Sequence, residues 1–243
     1  MIILGIESAT DSLGAAIHAG AESLASIRLS GRRRHAERLP GAIEAVLEGT
    51  GTPLRSVEAV AVDVGPGLFT GLRVGLATAK GLAQGLGIGL IGLGSLEVLA
   101  SAALEVGWAG TVLSVLDARR GEVFAAHFGP GPNPRGPETL AEPSRVRPEA
   151  LVDLLGEPAV PVLACGDGAL RYRALLEEIA AVSFGGPILA TPDPATLVRL
   201  ARSRLDSGVG LVGSHELEAC YLREPDTRIS WAIRSPVEMV RGG

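Results

Sequence analysis

The sequence predicts an α/β protein built from two related halves, and three observations support this prediction. Apolar residues make up 47% of the chain and aromatic residues only 3%, which favours a core of Ala, Val, Leu and Ile. Short apolar runs alternate with segments of helical periodicity. The opening also recurs, because Glu7 and Asp117 each end an apolar run eight residues before an Ala-Ala pair, at an offset of 110 positions.

The first half is predicted to run β-β-β-α-β-α-β-α. Apolar runs predict its strands, and the fourth strand contains Asp63 within a run that is covered on both faces. After a basic loop at 32–34, helical spacing predicts a helix that starts near Pro40. Thr70 and Ser95 are the predicted caps of the next two helices. The predicted strands are 2–7, 14–18, 23–29, 57–64 and 88–93, and the two capped helices are 70–86 and 95–104.

The second half is predicted to open in the same way, with a strand, a tight turn and a returning strand. The run from Gly129 to Pro148 is rich in Pro, Gly and Arg without periodicity, which predicts a loop. Asp193 and Pro194 predict the start of a long last helix. The remaining predictions are strands at 111–116 and 160–164, helices at 148–155, 168–179 and 193–205, domains at 1–106 and 107–218, and an irregular tail at 219–243.

Charge, cysteine content and apolar run length indicate how the protein would meet nucleic acid, which compartment it occupies and whether it spans a membrane. The net charge of −5 argues against a surface that grips nucleic acid by itself, so any contact with RNA is expected to be indirect. Cys165 and Cys220 lie far apart and no secretory signal precedes the first strand, which indicates a reduced, cytoplasmic protein. The longest uncharged run, 81–96, is too short to span a bilayer, so no membrane segment is expected.

A possible nucleotide cleft follows from the two related halves. Two α/β halves, each with a carboxylate where a strand ends at a crevice, form the architecture of actin-like and hexokinase-like nucleotide-binding proteins. In such a fold Glu7 and Asp117 would hold a magnesium ion, and glycines after a later strand would approach the adenosine. Solvated turn acids and a plain strand-to-helix turn are the alternatives. The candidate cleft residues are Glu7, Thr10, Asp117, Arg119, Gly166, Asp167 and Gly168.

The second predicted helix carries small residues at every fourth position, which would let another helix approach closely. The first predicted helix has a matching apolar row, so the two could form half of an intersubunit bundle. Packing within the same domain is the alternative. The candidate interface residues are Leu39, Ile43, Val46, Leu47, Phe69, Thr70, Gly71, Leu72, Arg73, Gly75, Leu76, Ala79 and Ala83.

No complete set of catalytic residues or metal ligands emerges from the sequence. No two of its histidines are three to five residues apart, so a helix cannot present two imidazoles to one metal. A Gly-x-Ser-x-Gly elbow and a Walker lysine are both missing from the sequence. Neither a metal site nor a catalytic residue is therefore predicted.

Several segments, in order, resemble one known family, TsaB, also called YeaZ. The most specific are 65–75, which is similar to the glycine-rich signature of the family, and 117–123. The catalytic paralogue TsaD opens in much the same way, but TsaD has a metal-binding His-x-x-x-His that this sequence lacks. The other matching segments are 3–10, 35–39, 95–97 and 221–223.

The resemblance implies a duplicated fold of the actin and hexokinase class. It also implies a partner, TsaD, which transfers a threonylcarbamoyl group to N6 of adenosine 37 in tRNA, a third component, the ATPase TsaE, and a homodimer when TsaD is absent. In the family the first two helices form the dimer surface, which coincides with the candidate interface. ATP or ADP with magnesium at the subunit joint is a possible cofactor.

One departure from the family pattern stands out, since Leu68 occupies a position that is usually Ser. This change could remove a hydroxyl from a turn or fill a gap. The leading hypothesis is a non-catalytic scaffold that holds TsaD in an active shape. The alternative is an ATP-dependent kinase or ATPase that uses Glu7 and Asp117, whereas a metallopeptidase is disfavoured by the histidines.

Overall fold

A computed structural model describes residues 1–31, 34–131, 136–179 and 181–222. Arg32 and Arg33 of the basic loop and the predicted tail from 223 onward lie outside these residues. The strands are β1 Ile2–Glu7, β2 Ser12–Ala19, β3 Glu22–Ser30, β4 Ala59–Gly65, β5 Gly89–Gly94, β6 Thr111–Arg119, β7 Glu122–Gly129, β8 Glu138–Val146, β9 Val162–Cys165 and β10 Val182–Phe184. The helices are α1 His35–Gly49, α2 Phe69–Leu86, α3 Ser95–Glu105, α4 Leu151–Leu155, α5 Asp167–Arg171, α6 Arg173–Leu176 and α7 Pro194–Asp206.

The strands form two five-stranded sheets with the same topology. The first has the order β3-β2-β1-β4-β5 and the second the order β8-β7-β6-β9-β10. In each sheet the first three strands are antiparallel and the last two join in parallel. The predicted duplication and the actin-like fold class are therefore confirmed.

The two halves exchange helices across the predicted boundary at residues 106 and 107. Helix α3 follows the first sheet in the chain, but Leu96, Leu99 and Ala103 pack in a core with strands of the second sheet. Helix α7 follows the second sheet, but Leu197 and Ala201 pack in a core with β1 and β4 of the first. Each sheet is thus covered on one face by a helix from the other half, so the two cores are interlocked. Among the described residues no helix is both long and apolar enough to cross a membrane.

Several local predictions need correction, and for β8 and α1 the reason is a tertiary contact that outweighs the local pattern. Strand β8 lies in the predicted loop, since its backbone pairs with β7 at the sheet edge, where neither face needs an apolar pattern. Helix α1 begins at His35, five residues before Pro40, because the His35 ring binds the β1–β2 turn. The predicted helix 168–179 is interrupted at Tyr172, and β10 was not predicted. The Asp193 cap is confirmed, since its carboxylate accepts the Thr196 amide at 3.0 Å.

The chain after α7 runs back over the open edge of the first sheet. Leu90 and Val212 exchange two backbone hydrogen bonds of 2.9 and 2.8 Å. The side chains of Leu211 and Leu217 lie where Gly89 and Gly92 carry no side chain. The Cys220 amide then donates to the Val64 carbonyl. This segment therefore covers an edge strand that would otherwise be open to pairing with another chain.

The start of α2 has no side-chain cap. Leu68 occupies the N-cap position, and its side chain cannot accept a hydrogen bond from the first turn. Thr70, the predicted cap, is exposed inside the first turn, so that prediction is wrong. Ser95 also begins its helix without capping it, because its hydroxyl donates to Asp63.

We expect Leu68→Ser to stabilise the chain by about 1 kcal/mol, because a serine hydroxyl at the N-cap would accept a backbone amide of α2. Thermal and urea unfolding measure the change. Thr70→Ala is the matched control and should leave the free energy of unfolding unchanged within about 0.5 kcal/mol. A loss of stability in Leu68→Ser would show that the leucine side chain contributes more through packing than the cap would supply.

Candidate functional site

The β1–β2 turn, which with the first residue of β2 comprises residues 8–12, contacts and supports the N-terminal end of α2. The Ser8 hydroxyl donates to the Gly71 carbonyl at 2.9 Å, and the Leu68 amide donates to the Ala9 carbonyl at 2.7 Å. A side chain at Gly67 or Gly71 would collide with the backbone of this turn. The glycine-rich signature is thus explained by the close approach of a helix to a turn of its own domain.

The small-residue stripe of α2 faces the interior. A Cβ atom at Gly75 would collide with the Ser8 hydroxyl, and Ala79 and Ala83 are buried in the core between the first sheet and helices α1 and α2. The apolar row of α1, from Leu39 to Leu47, lies in the same core. The alternative reading of the stripe, packing within its own domain, is therefore what the structure shows. The buried candidate residues are Leu39, Ile43, Val46, Leu47, Gly71, Leu72, Gly75, Ala79 and Ala83, while Phe69 and Leu76 are partly buried and Thr70 and Arg73 exposed.

The outer surfaces of α1 and α2 carry a second set of small residues that the sequence reasoning missed. These residues are exposed, and a Cβ atom at any of their glycines would meet nothing within 4 Å. A groove of about 630 Å³ lies between the helices, with Pro40, Ile43, Leu47, Leu54 and Leu82 in its lining. We call this surface the helix-pair face and define it by the groove together with Gly41, Ala45, Gly49, Ala77, Gly81 and Gly85.

Glu7 is a buried structural carboxyl. It is fully buried at the end of β1, and its Oε1 accepts the Ala9 amide at 2.8 Å. Asp63 is also fully buried, at the end of the neighbouring strand β4, and its Oδ1 accepts the Gly65 amide and the Ser95 hydroxyl. The remaining oxygen of each carboxyl has no hydrogen-bond partner among the described residues.

Burial governs the protonation of these two carboxyls. It raises the pKa of Asp63 to about 7, against the lowering effect of its hydrogen bonds to Ser95 and Gly65. It also raises the pKa of Glu7 well above its ordinary value, and the charge of Asp63 raises it further. Because two adjacent buried carboxylates cannot easily both ionise, at least one of them is protonated near neutral pH.

Asp117 is held by two arginines. Arg119 and Arg171 donate to its Oδ2 at 2.9 and 2.7 Å, and the carboxylate of Asp117 is almost completely buried. Arg119 also pairs with Asp11 of the first half, with nitrogen and oxygen 2.6 Å apart. The alternative interpretation, in which Glu7 and Asp117 are solvated turn acids, is therefore wrong. Glu7 is buried in the core, and Asp117 is ion-paired.

The glycine loop that follows β9 lies against β6. A Cβ atom at Gly166 would collide with the Val115 carbonyl, and one at Gly168 would crowd the backbone of Leu116. Asp167 accepts the Asp117 amide at 2.9 Å. The loop therefore matches the plain strand-to-helix turn, because its glycines make room for the protein's own backbone.

The predicted nucleotide-cleft residues do not fit a magnesium nucleotide between the two sheets. Glu7 is sealed from solvent, the Asp117 oxygen that could bind a cation already accepts two guanidinium groups, and the Thr10 carbonyl faces His35. Within the described ranges no group of three His, Cys, Asp or Glu side chains could hold a metal ion. Burial raises the pKa of the Cys165 thiol to about 12, so the nucleophilic thiolate form is disfavoured near neutral pH.

Four functional candidates, Asp11, His35, Asp63 and Arg171, were not proposed from the sequence. The signal for Asp63 was available, since an acid inside a continuous apolar run has to be satisfied within the core. No comparable signal marked Asp11, His35 or Arg171, because their partners are 25 or more positions away in the chain.

A cavity of about 670 Å³ lies between the N-terminal ends of α1 and α2 and the β6–β7 turn of the second half. Its lining includes Asp11, Arg34, His35, Thr70 and Arg119. Residues of the two predicted sites are brought together here: Phe69, Thr70 and Gly71 belong to the predicted interface and Arg119 to the predicted cleft. The charges of the two arginines are balanced by nearby carboxylates, since Arg34 pairs with Glu37 and Arg119 with Asp11.

Comparisons of the sequence and the fold with known proteins find relatives named TsaD, TsaB and YeaZ. The family model described as TsaD, tRNA N6-adenosine threonylcarbamoyltransferase, matches residues 24–219. The Escherichia coli tRNA threonylcarbamoyladenosine biosynthesis protein TsaB is 30% identical over 95% of this chain and 97% of its own length. An uncharacterized Mycobacterium leprae protein is 33% identical over 97% of this chain, which spans 58% of that longer protein. The structure of YeaZ from Pseudomonas aeruginosa shares the fold, with a TM-score of 0.80 and 23% identity over 91% of this chain and 99% of that one.

The raised pKa values of the buried Glu7 and Asp63 predict that the free energy of unfolding falls as pH rises. In the unfolded chain both groups ionise near pH 4, whereas Asp63 in the folded protein holds its proton to about pH 7. The folded state therefore binds more protons between these values, so the free energy of unfolding should drop across this window by a few kcal/mol at most. Urea unfolding from pH 4.5 to 8 measures the slope.

Glu7→Gln should reduce this slope, because it removes one of the two interacting buried acids. Glu44→Gln, an exposed glutamate of α1, is the control and should keep the wild-type slope. An unchanged slope in Glu7→Gln would mean that other groups cause the pH dependence.

A glycine-to-leucine substitution should affect stability differently on the buried and the exposed small-residue stripes of α2. Gly75→Leu should destabilise the chain by roughly 1–3 kcal/mol or more, because its side chain would collide with Ser8. Gly81→Leu, on the exposed stripe, should be neutral or stabilising, because no atom lies within 4 Å and leucine favours helix. Equal unfolding midpoints for the two variants would contradict this assignment of faces.

Proposed function

The chain belongs to the TsaB (YeaZ) family, and we propose that it is a non-catalytic subunit of the machinery that forms N6-threonylcarbamoyladenosine at position 37 of tRNA. In this role it binds a TsaD-type transferase and holds that partner in its active shape. The observation that carries the proposal is the helix-pair face, an exposed surface of small and apolar residues on the element that also contains the family signature.

The shape of the helix-pair face suits another helical surface. Small residues at every fourth position let a second helix approach closely, and the groove between α1 and α2 offers apolar side chains to bury. Close packing of α2 against the β1–β2 turn holds the helix in place, so little conformational entropy is lost when a partner binds. The docking surface is therefore proposed on the outer faces of the two predicted helices. Of the buried residues first selected, only Ile43 and Leu47 belong to it, because they line the groove.

The candidate acids support a non-catalytic role. Glu7 and Asp117, on which an ATPase or kinase would rely, are engaged in the core and in ion pairs. The net charge of −5 favours a subunit that meets tRNA through its partner. A location in the cytoplasm, where tRNA is modified in bacteria, belongs to the same proposal.

Further partners follow from the same family membership. We propose that the ATPase TsaE joins the complex and that the helix-pair face pairs with a second copy of this chain when TsaD is absent. Any ATP or ADP would then bind at the joint between subunits, for which the cavity beside the ends of α1 and α2 has the room.

Gly81→Arg should abolish binding to TsaD and tRNA modification by the reconstituted system, because a long charged side chain on a close-packed face forces the helices apart. Size-exclusion chromatography with light scattering and a tRNA modification assay measure both effects. Ser23→Arg adds the same charge at an exposed position of β3 and should leave both unchanged. An intact complex with Gly81→Arg would remove this face from the proposal.

Titration of the isolated chain with magnesium and ATP should show no binding and no hydrolysis, since the cleft carboxyls are already engaged. Isothermal titration calorimetry and phosphate release measure the two outcomes. Saturable binding that Asp117→Asn removes would favour the ATPase alternative over the scaffold.

A further inference from the structure

The β1–β2 turn, residues 8–12, connects three parts of the molecule. On one side it supports the beginning of α2 through Ser8 and Ala9, without space for a side chain at the facing glycines. A displacement of α2 along this contact cannot be absorbed by compression, because the two backbones already touch. The turn must therefore move with the helix.

Helix α1 is attached to the same turn. The Nε2 atom of the buried His35 lies 2.9 Å from the Thr10 carbonyl, at the first residue of the helix. Both helices of the helix-pair face thus begin at contacts with five consecutive residues. A partner that tilts either helix pushes on this turn.

On its other side the turn is joined to the second half. Asp11 pairs with Arg119, which donates to Asp117, and Asp117 also accepts Arg171. Arg119 and Arg120 both have positive φ values, of 66° and 56°, so the turn that carries them has little freedom to adapt. The side chains of Asp11 and Arg119 are both about one third exposed, so solvent weakens this ion pair.

We propose that the β1–β2 turn is a coupling element: docking on the helix-pair face shifts the turn, and the Asp11–Arg119 ion pair passes this shift to the second half. The inference rests on the proposed function, in which the helix-pair face binds the partner. By thermodynamic linkage the effect is reciprocal, so a change in the ion pair alters the affinity of the remote face.

The first test compares two neutralised carboxylates of the same cavity. Asp11→Asn removes the charge of the ion pair that links the turn to the second half, whereas Glu37→Gln removes an equal charge from the lining without touching that pair. Calorimetric titration with the TsaD-type partner should show affinity changed by about fivefold or more for Asp11→Asn and unchanged for Glu37→Gln. Equal effects from both variants would overturn the inference in favour of simple charge attraction.

The second test follows the far end of the pathway. Hydrogen exchange of the amides at 117–122 should change when the partner binds the wild-type chain and should not change in Asp11→Asn. Unaltered exchange in the wild-type complex would overturn the coupling.

Failure of the inference can be told from failure of the proposed function. If Gly81→Arg abolishes the complex while Asp11→Asn binds like wild type, the face is correct and the coupling is wrong. If Gly81→Arg binds normally, the proposed docking face is wrong, and the coupling falls with it.

Discussion

The close approach of α2 to the β1–β2 turn is the constraint on which the rest of this structure depends. Glycines at 67, 71 and 75 leave no gap between helix and turn, so the Ser8 hydroxyl and the Ala9 carbonyl can bind the first turn of the helix. Any larger residue at these positions would lift the helix from the sheet. The orientation of α2 then sets the groove beside α1 and the outer stripe of small residues.

The interlocked helices join the two halves of the chain. Helix α3 covers the second sheet and α7 covers the first, so neither core is complete without a helix from the other half. The ion pairs Arg204–Glu97 and Arg199–Glu105 join these two helices directly. A third ion pair between the halves, Asp11–Arg119, lies at a partly exposed position.

The cleft acids Glu7 and Asp117 are engaged within the protein in ways that would compete with a bound cation. Where a cation and phosphates would need open carboxylates, Asp117 meets two guanidinium groups, and Glu7 is buried beside Asp63 with a raised pKa. A carboxyl that is neutral or already paired contributes to structure and has little remaining capacity for a metal. The proposed function accordingly rests on the outer faces of α1 and α2 and not on the cleft.

The sequence alone determined the duplicated α/β fold, the order of elements in the first half and the family, because these follow from apolar periodicity and from motifs that are local in the chain. It could not determine which side of α2 is buried, since small residues recur every fourth position on both faces, at 71, 75, 79 and 83 and again at 77, 81 and 85. Strand β8 and the early start of α1 were likewise hidden, because pairing with β7 and the His35 contact are tertiary. Only the folded chain decides which glycines touch Ser8 and which face solvent, because that choice depends on where a distant turn lies.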